Sequence, residues 1–221
     1  MKNHFPLHAV IFDMDGVITD TMPYHYRAWH KIFHEEGIPV TKYDVYQREG
    51  QKGITSVKEL FAAYRKPFSL AKAHDVLDRK ERLFKKIVHI RFVPGAKSFI
   101  KKLGRNHVAL ALVTGTSRHE VERILPENLL ERFSVIVSGN DVRHGKPHPE
   151  PYRKAVKALG ASRKSIVVIE NAPFGIASAK AAGLKCWAVE TSLPAKYLKK
   201  ADASFRNFGA LTAAFHHWYG L

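Results

Sequence analysis

Residues 8–16 read His-Ala-Val-Ile-Phe-Asp-Met-Asp-Gly, an apolar run that ends in two carboxylates separated by one residue. Val10, Ile11 and Phe12 favour a strand, and an unbroken apolar run is typical of strands buried on both faces in parallel sheets. The run predicts that Asp13 lies at the carboxyl end of a strand, where open α/β sheets bind ligands. Taken alone, the stretch also fits a strand end followed by an ordinary Asp-Gly turn.

Asp15 lies two residues after Asp13, so both carboxylates can face one small volume. Two like charges at such a distance require a cation, or one of them must hold a proton. The pair therefore suits a Mg²⁺ site with a nucleophile and a general acid/base side by side.

A second apolar strand is predicted over residues 109–113, and Thr114-Gly115-Thr116 follows it. A hydroxyl residue at a strand end, followed by Gly and then a helix, can bind a phosphate through its Oγ and nearby backbone N–H groups.

Two further segments supply a cation and oxygen ligands. Residues 145–151 read Gly-Lys-Pro-His-Pro-Glu-Pro, and their prolines exclude a regular helix or central strand, so Lys146 is expected on a stiff loop. A fixed ammonium suits a dianionic phosphate. The apolar strand 165–169 ends in Glu170-Asn171, which offers hard oxygen ligands.

The distribution of apolar residues divides the chain into two units. No buried strand is predicted between residues 22 and 90, and helical spacing predicts helices over 24–36, 55–64 and 69–90, with a short helix within 39–52. After Pro94 the pattern alternates between strand and helix up to a last helix over 208–219. We therefore expect an α/β fold, a Rossmann-like parallel sheet with helices on both faces and an inserted all-helical unit.

Composition fits a cytoplasmic enzyme. The 221-residue chain is 45% hydrophobic and has one cysteine, Cys186, so no internal disulfide can form. No apolar run is long enough to span a membrane, and no signal peptide precedes Asp13. The net charge of +16 leaves three alternatives: nucleic-acid binding, steering of phosphorylated metabolites, or a merely solvated surface. Because the chain holds no nucleic-acid motif, we do not expect a nucleic-acid partner. We expect a monomer.

The four motifs, in this order, resemble the haloacid dehalogenase (HAD) superfamily on its phosphatase branch. Residues 15–21 (Asp-Gly-Val-Ile-Thr-Asp-Thr), 24–29 (Tyr-His-Tyr-Arg-Ala-Trp) and 170–176 (Glu-Asn-Ala-Pro-Phe-Gly-Ile) resemble the β-phosphoglucomutase-like subfamily. The resemblance implies a core domain of residues 1–20 and 93–221 and a helical cap domain of residues 21–92, joined by two hinges.

The resemblance also implies two-step phosphoryl transfer to a small phosphorylated metabolite. Asp13 is the expected nucleophile, and Asp15 is the expected acid and then base. The side chains expected to hold Mg²⁺ are those of Asp13, Glu170 and Asn171, together with the main-chain carbonyl of Asp15. The residues expected to bind the phosphate are Thr114, Gly115, Thr116 and Lys146.

The cap is expected to select the substrate. His25 and Lys52 match substrate-contacting residues of the subfamily, although His25 also fits a packed or surface histidine and Lys52 a solvated turn. Arg79 roughly matches a cap lysine of the mutases, but a surface cation on a helix is the simpler interpretation. Thr21 either contacts substrate or caps the first cap helix.

Two departures from the family pattern bear on function. Asn171 stands where many relatives carry Asp, so Mg²⁺ binds more weakly or the site is degraded. The mutases carry a cap arginine that grips a distal phosphate, whereas this chain has Thr55-Ser56 there and Lys58 as the nearest cation. We therefore expect hydrolysis of a phosphomonoester rather than a phosphomutase.

Two other functions fit these residues less well. A dehalogenase has no use for a second acid at Asp15 or for Mg²⁺. A non-catalytic binding protein is supported only by Asn171 and by the basic surface.

Overall fold

The computed structural model describes residues 7–221. They form a six-stranded sheet in the order β3-β2-β1-β4-β5-β6, in which every neighbouring pair is parallel. The strands are β1 (Ala9–Phe12), β2 (Ala109–Val113), β3 (Val135–Val137), β4 (Ile166–Glu170), β5 (Lys185–Val189) and β6 (Ala203–Phe205). The predicted fold class is confirmed.

Ten helices lie within the described residues. The first four follow β1 directly: α1 (Met22–Glu35), α2 (Lys42–Tyr46), α3 (Gly53–Ala63) and α4 (Leu70–Ile87). The other six alternate with or follow the strands: α5 (Ala96–Arg105), α6 (Arg118–Ile124), α7 (Glu127–Leu130), α8 (Glu150–Leu159), α9 (Pro173–Ala181) and α10 (Phe208–Tyr219). Residues 22–87 thus hold four helices and none of the six strands, and we call them the helical segment.

Strand β1 lies at the centre of the sheet and is completely buried. Its alternate residues face opposite layers, although the whole run is apolar. Val10 and Phe12 pack in the layer that contains Phe99 and Phe215. Ile11 packs in the other layer, which continues through α8 and α9 into the helical segment. The carboxyl end of β1 is therefore surrounded by protein on both sides.

Two connections join the helical segment to the sheet, and they lie side by side. The backbone N–H of Asp20 donates to the carbonyl of Arg91 (2.8 Å), and that of Val93 donates to the carbonyl of Ile18 (2.9 Å). Thr19 and Phe92 form an antiparallel bridge between them. Chain entry and exit therefore occur at one point, close to the expected hinges.

Strand β6 and helix α7 are additions to the predicted pattern. Residues 203–205 are only partly buried, and they form the edge of the sheet. A three-residue edge strand carries too few apolar side chains to stand out in the sequence. Residues 1–6 lie outside the described residues. They include the start of the predicted core domain and of the segment in which no signal peptide is expected. None of the helices in residues 7–221 has the length and apolar character needed to cross a membrane.

Candidate active site

A tight loop brings Asp15 back over the end of β1. The N–H of Asp13 donates to the carbonyl of Ile169 on β4 (3.0 Å), which continues the sheet to this residue. Gly16 then adopts φ +85°, and its N–H donates to the carbonyl of Thr19 (2.6 Å). A Cβ on Gly16 would lie 2.0 Å from Asn171 Nδ2, so both the backbone angle and the space require glycine.

Lys146 is buried against the first carboxylate. Its Nζ lies 2.5 Å from Asp13 Oδ1 and 2.7 Å from Glu170 Oε1, and all three side chains are 1% exposed. The N–H of Lys146 donates to the carbonyl of Gly50 in the helical segment (3.1 Å). The loop that was expected to hold Lys146 rigidly is thus fixed at both its backbone and its side chain.

Glu170 is occupied by donors on both oxygens. Oε1 accepts from Lys146 and from the hydroxyl of Tyr152 (2.8 Å). Oε2 accepts from the backbone N–H groups of Asn171 (2.9 Å) and Ala172 (3.2 Å). Because a carboxylate offers about four lone-pair sites, Glu170 would have to release a donor to become a metal ligand. In this arrangement it orients Lys146.

Asn171 links the last strand-end motif to the aspartate loop. Its Nδ2 donates to the carbonyl of Asp15 (3.1 Å) and to Ser192 Oγ (2.6 Å). Its Oδ1 and the Oδ2 of Asp13 are buried without a hydrogen-bond partner among residues 7–221. Buried oxygens of this kind are expected to be satisfied, and hard oxygen ligands suit Mg²⁺. Asp13 and Asn171 therefore fit the expected metal.

Asp15 is surrounded by donors from three elements. Thr21 Oγ1 donates to Oδ1 (2.5 Å), Thr116 Oγ1 donates to Oδ2 (3.0 Å), and His25 Nε2 lies 3.4 Å from Oδ1. The side chain of Thr21 makes no helix-capping hydrogen bond at the start of α1. Its contact with Asp15 instead places it beside the acidic pair.

The predicted phosphate loop lies at the end of β2. Thr114 is 3% exposed, and its Oγ1 accepts from the backbone N–H of Thr116 (3.1 Å). Gly115 faces the helical segment so closely that a Cβ there would lie 2.8 Å from the Cα of Gly50. Gly115 and Thr116 line the same cavity as Asp15.

A cavity of about 660 Å³ lies between the sheet and the helical segment. We call its two sides the core side and the helical side. The core side is Asp15, which lines the cavity, together with the buried Asp13, Lys146 and Glu170, which do not line it. The helical side is formed by lining residues of the helical segment: His25, Glu49, Lys52 and Lys80. Direct contacts hold the two units together over this cavity: Lys85 Nζ lies 3.0 Å from Glu120 Oε1, and the N–H of Phe174 donates to the carbonyl of Gln47 (3.0 Å). The helical segment is thus closed over the acidic pair.

Residues 10–189 match the family model described as haloacid dehalogenase-like hydrolase. The chain belongs to the haloacid dehalogenase-like hydrolase family. The motif order read from the sequence is thereby accounted for, and the expectation of a hydrolase of this superfamily is confirmed.

Known proteins of the β-phosphoglucomutase-like branch are similar to this family member along most of its length. A phosphorylated carbohydrates phosphatase of Thermotoga maritima is 30% identical, over 81% of this chain and 83% of its own. A β-phosphoglucomutase of Bacillus subtilis is 29% identical, over 95% and 93%. A solved structure of a candidate β-phosphoglucomutase from Bacteroides vulgatus superposes with a TM-score of 0.85 at 30% identity, covering 99% of this chain and 91% of that one. The subfamily resemblance is confirmed.

The electrostatics of this HAD core side favour a divalent cation. Burial, the largest cause, raises the pKa of Asp13 to about 8; the Lys146 ammonium opposes that rise, and the carboxylates of Glu170 and Asp15 add to it. The pKa of Lys146 is raised by Asp13 and Glu170, against the effect of burial. One ammonium thus faces three buried carboxylates, and the excess of negative charge requires a cation or a proton.

Asp15 has the opposite tendency. Burial would raise its pKa, but the donors His25, Thr21 and Thr116 lower it below the ordinary value. The pKa of His25 is itself lowered, first by burial and then by the charge of Lys80. The two aspartates therefore differ in their environments: burial favours the neutral form of Asp13, whereas the donors around Asp15 favour its ionised form.

Lys80 and Glu49 belong to the helical side but were not among the predicted residues. Lys80 is 9% exposed, its Nζ lies 3.2 Å from His25 Nδ1, and burial lowers its pKa. Glu49 is half-buried in the cavity, and burial together with Asp15 and Asp13 raises its pKa well above the usual value. Spacing could have identified Lys80, because Val76 and Phe84, four residues to either side, are buried on the same helix face.

Arg79 is not on the helical side. Its guanidinium lies 2.7 Å from Glu35, 2.7 Å from Glu36 and 2.9 Å from Asp75. These ion pairs join α4 to the end of α1. The simpler interpretation of Arg79 as a structural surface cation is the one that its contacts favour, and the neighbouring lysine faces the cavity instead.

Proposed function

We propose that this HAD-family chain is a Mg²⁺-dependent phosphatase that hydrolyses a small phosphomonoester through an aspartyl-phosphate on Asp13. One observation carries the proposal: Asp13 and Asp15 lie together at the end of the central strand, with the Lys146 ammonium 2.5 Å from Asp13, beside a cavity of about 660 Å³ between the sheet and the helical segment. A sugar phosphate or a metabolite of similar size fits such a space. Residues 21–92 would act as the cap, and residues 1–20 and 93–221 as the core.

In the first step, a carboxylate oxygen of Asp13 attacks phosphorus and the bond to the leaving oxygen breaks. Lys146, with Thr114, Gly115 and Thr116, would neutralise and orient the phosphoryl oxygens, which is the main requirement of phosphoryl transfer. Mg²⁺, when bound by Asp13 and Asn171 and with Glu170 and the Asp15 carbonyl nearby, would reduce the repulsion between the carboxylate and the phosphate.

Asp15 would transfer protons in both steps. A bound phosphate beside it raises its pKa by repulsion between like charges, so that it holds the proton that the leaving oxygen needs. After departure of that group, the carboxylate form removes a proton from the water that attacks the aspartyl-phosphate. The three donors to Asp15 favour this second form.

His25, Lys52 and Lys80 would bind the part of the substrate remote from phosphorus. The names of two relatives are consistent with such compounds: one is a phosphorylated carbohydrates phosphatase and the other a β-phosphoglucomutase. The two relatives are similar to this chain at nearly equal identity, so identity alone does not separate hydrolysis from mutase action. The details of the helical side must do so.

Hydrolysis is favoured by the first turn of α3, which begins directly after Lys52. Thr55 is exposed, and the side chain of Ser56 donates to Gln51 Oε1 (2.6 Å), so neither offers a positive charge to a distal phosphate. Lys58 does not line the cavity. One observation supports the mutase alternative: the buried Lys80 could neutralise a distal anionic group.

The test uses the purified chain with p-nitrophenyl phosphate and a panel of sugar and polyol phosphates, with Mg²⁺ or with EDTA. We expect Mg²⁺-dependent release of phosphate. Phosphorus NMR of a hexose 1-phosphate, supplied with a trace of hexose bisphosphate, separates the alternatives because a mutase yields hexose 6-phosphate. Absence of both products across the panel would favour a non-catalytic binding protein.

A further inference from the structure

Two histidines and a glutamate lie together on the outer side of the Lys146 loop. His144, His148 and Glu150 each offer one ligand atom, and these atoms all lie within 4.8 Å of one another. The histidines are exposed and Glu150 is partly exposed. The Lys146 ammonium between them in sequence is turned inward to Asp13, so it does not compete for the cluster.

Glu150 is held in place before any ligand arrives. Its Oε1 accepts from the backbone N–H of Arg143 (2.9 Å), and its Oε2 accepts from the backbone N–H of His144 (2.9 Å). The hydrogen bond from Arg143 is the largest cause of a lowered pKa of about 2, although desolvation opposes it. The carboxylate is therefore ionised and oriented at neutral pH. Lys154 is the nearest side-chain cation, with its Nζ 3.8 Å from Oε1, the oxygen that faces away from His144.

The two imidazoles face the same carboxylate region. Their ring centres are 4.6 Å apart, and His144 Nδ1 lies 3.0 Å from Glu150 Oε2. His148 Nδ1 accepts from the backbone N–H of Glu150 (3.2 Å), which fixes the ring beside Glu150. Because this hydrogen bond occupies Nδ1, His148 would ligate through Nε2, or through Nδ1 after giving up the bond. Two ligands bound to one metal at about 2.0–2.2 Å lie roughly 3 Å apart, which matches the His144–Glu150 separation.

We propose that His144, His148 and Glu150 form a binding site for a divalent transition metal such as Zn²⁺ or Ni²⁺, separate from the Mg²⁺ site. Imidazole nitrogen suits these metals, whereas Mg²⁺ favours oxygen ligands. Binding through His144 Nδ1 replaces the proton that this nitrogen shares with Glu150 Oε2. From the neutral imidazole that proton is exchanged through solvent to Nε2, and from the imidazolium one proton is released. The metal would join both ends of the segment that carries Lys146. The site does not depend on the proposed phosphatase activity.

The test is calorimetric titration of the untagged 221-residue chain with Zn²⁺, in a buffer with excess Mg²⁺ that occupies oxygen sites. We expect one strong site in the wild type. His148→Ala should weaken binding about tenfold or more, the scale on which single groups around a metal act. The matched control is His30→Ala, which removes one imidazole of the exposed pair His30–His34 on α1, whose ring centres are 6.3 Å apart. We expect this control to bind Zn²⁺ like the wild type.

Thermal unfolding with and without Zn²⁺ provides the second measurement, because a ligand that binds only the folded chain raises its Tm. The rise should be lost in His148→Ala and retained in His30→Ala, while circular dichroism checks that both variants fold. If His148→Ala does not fold, His148→Gln retains a polar side chain and serves in its place. Equal Zn²⁺ affinity in the wild type and the His148 variant would overturn the proposal, and so would a loss confined to His30→Ala.

Discussion

The two sides of the cavity are built differently. On the core side, Lys146 contacts two carboxylates at 2.5 and 2.7 Å, and Glu170 accepts four hydrogen bonds. On the helical side, His25 is 14% exposed, and Lys80 forms no ion pair with a carboxylate among residues 7–221. Several contacts hold each charged side chain of the core side in place, which suits groups that take part in the reaction. The polar side chains of the helical side have fewer partners and can contact a ligand, which suits groups that select the substrate.

The largest effect should follow a change of the nucleophile on the core side. Asp13→Asn is expected to reduce phosphate release ~10⁴-fold or more, because an amide cannot form the covalent intermediate. Release from p-nitrophenyl phosphate in saturating Mg²⁺ measures the loss. Asp78→Asn removes the same charge from an exposed site and should leave turnover unchanged. Turnover of the Asp13 variant at the wild-type rate would contradict the proposed nucleophile.

The next effect concerns the proton that Asp15 transfers. Asp15→Asn should reduce turnover ~10²–10⁴-fold, the usual contribution of general acid–base catalysis. The loss should be smaller for p-nitrophenyl phosphate than for a sugar phosphate, because a good leaving group needs less protonation. Turnover numbers for both substrates test this, and equal losses would argue against the acid role.

Adjacent residues of α4 test the helical side. Lys80→Met removes the cation that lines the cavity and should raise KM about tenfold for a substrate with a remote polar group, since remote contacts position the reacting group. It should change KM little for p-nitrophenyl phosphate. Lys80→Met relieves the burial of a charge but also removes an ammonium that lies over the rings of Trp29 (5.2 Å) and Phe84 (4.9 Å), so the free energy of unfolding should change little.

Arg79→Met is the matched control, because it removes a cation one residue away. It breaks ion pairs with Glu35, Glu36 and Asp75 and should cost about 1 kcal/mol or less of unfolding free energy, since these groups are partly exposed. KM should stay at the wild-type value. If Arg79→Met raises KM and Lys80→Met does not, the assignment of the helical side is wrong.

The lowered pKa of Lys80 leads to a prediction about pH dependence. Burial lowers the pKa of Lys80 from 10.5, so the ammonium is lost as pH rises through that lowered value. KM for an anionic substrate should therefore rise on the alkaline side, beginning below pH 10.5, in the wild type. The rise should be absent in Lys80→Met, and pH profiles of both proteins measure it. A profile that is identical in both would exclude Lys80 as the titrating group.

The smallest effect concerns the metal. In Asn171→Asp an oxygen replaces the Nδ2 that donates to the Asp15 carbonyl. Without Mg²⁺, the free energy of unfolding of the variant should therefore be about 1–3 kcal/mol lower than that of the wild type. With Mg²⁺ the added charge should lower the concentration for half-maximal activity several-fold. Thermal unfolding and activity across a Mg²⁺ series measure both quantities. A higher Mg²⁺ requirement would mean that the site is built around the amide.

The sequence predicts the residues of the core side better than those of the helical side. Asp13, Asp15 and Glu170 lie at strand ends, and a strand end is visible as the point where an apolar run stops. Lys146 lies on a loop that the prolines around it indicate. The family resemblance indicates His25 and Lys52 as substrate-contacting residues, but it does not indicate Lys80. The spacing of Lys80 from Val76 and Phe84 nevertheless places it on the buried face of α4. Glu49 lies in a loop, where no periodicity exists to indicate the direction of a side chain.

The sequence by itself determined the alternation of strands and helices apart from β6 and α7, the parallel sheet and the edge at which the acidic pair lies, because these depend on local periodicity and on general rules of chain connection. Tertiary structure alone decided which donor meets which acceptor. Lys146 and Asp13 are 133 residues apart, and Asn171 is 156 residues from the Asp15 carbonyl that it contacts. Hydrogen bonds weaken steeply within a few tenths of an ångström and with angle, so pairings across such separations depend on how whole layers pack.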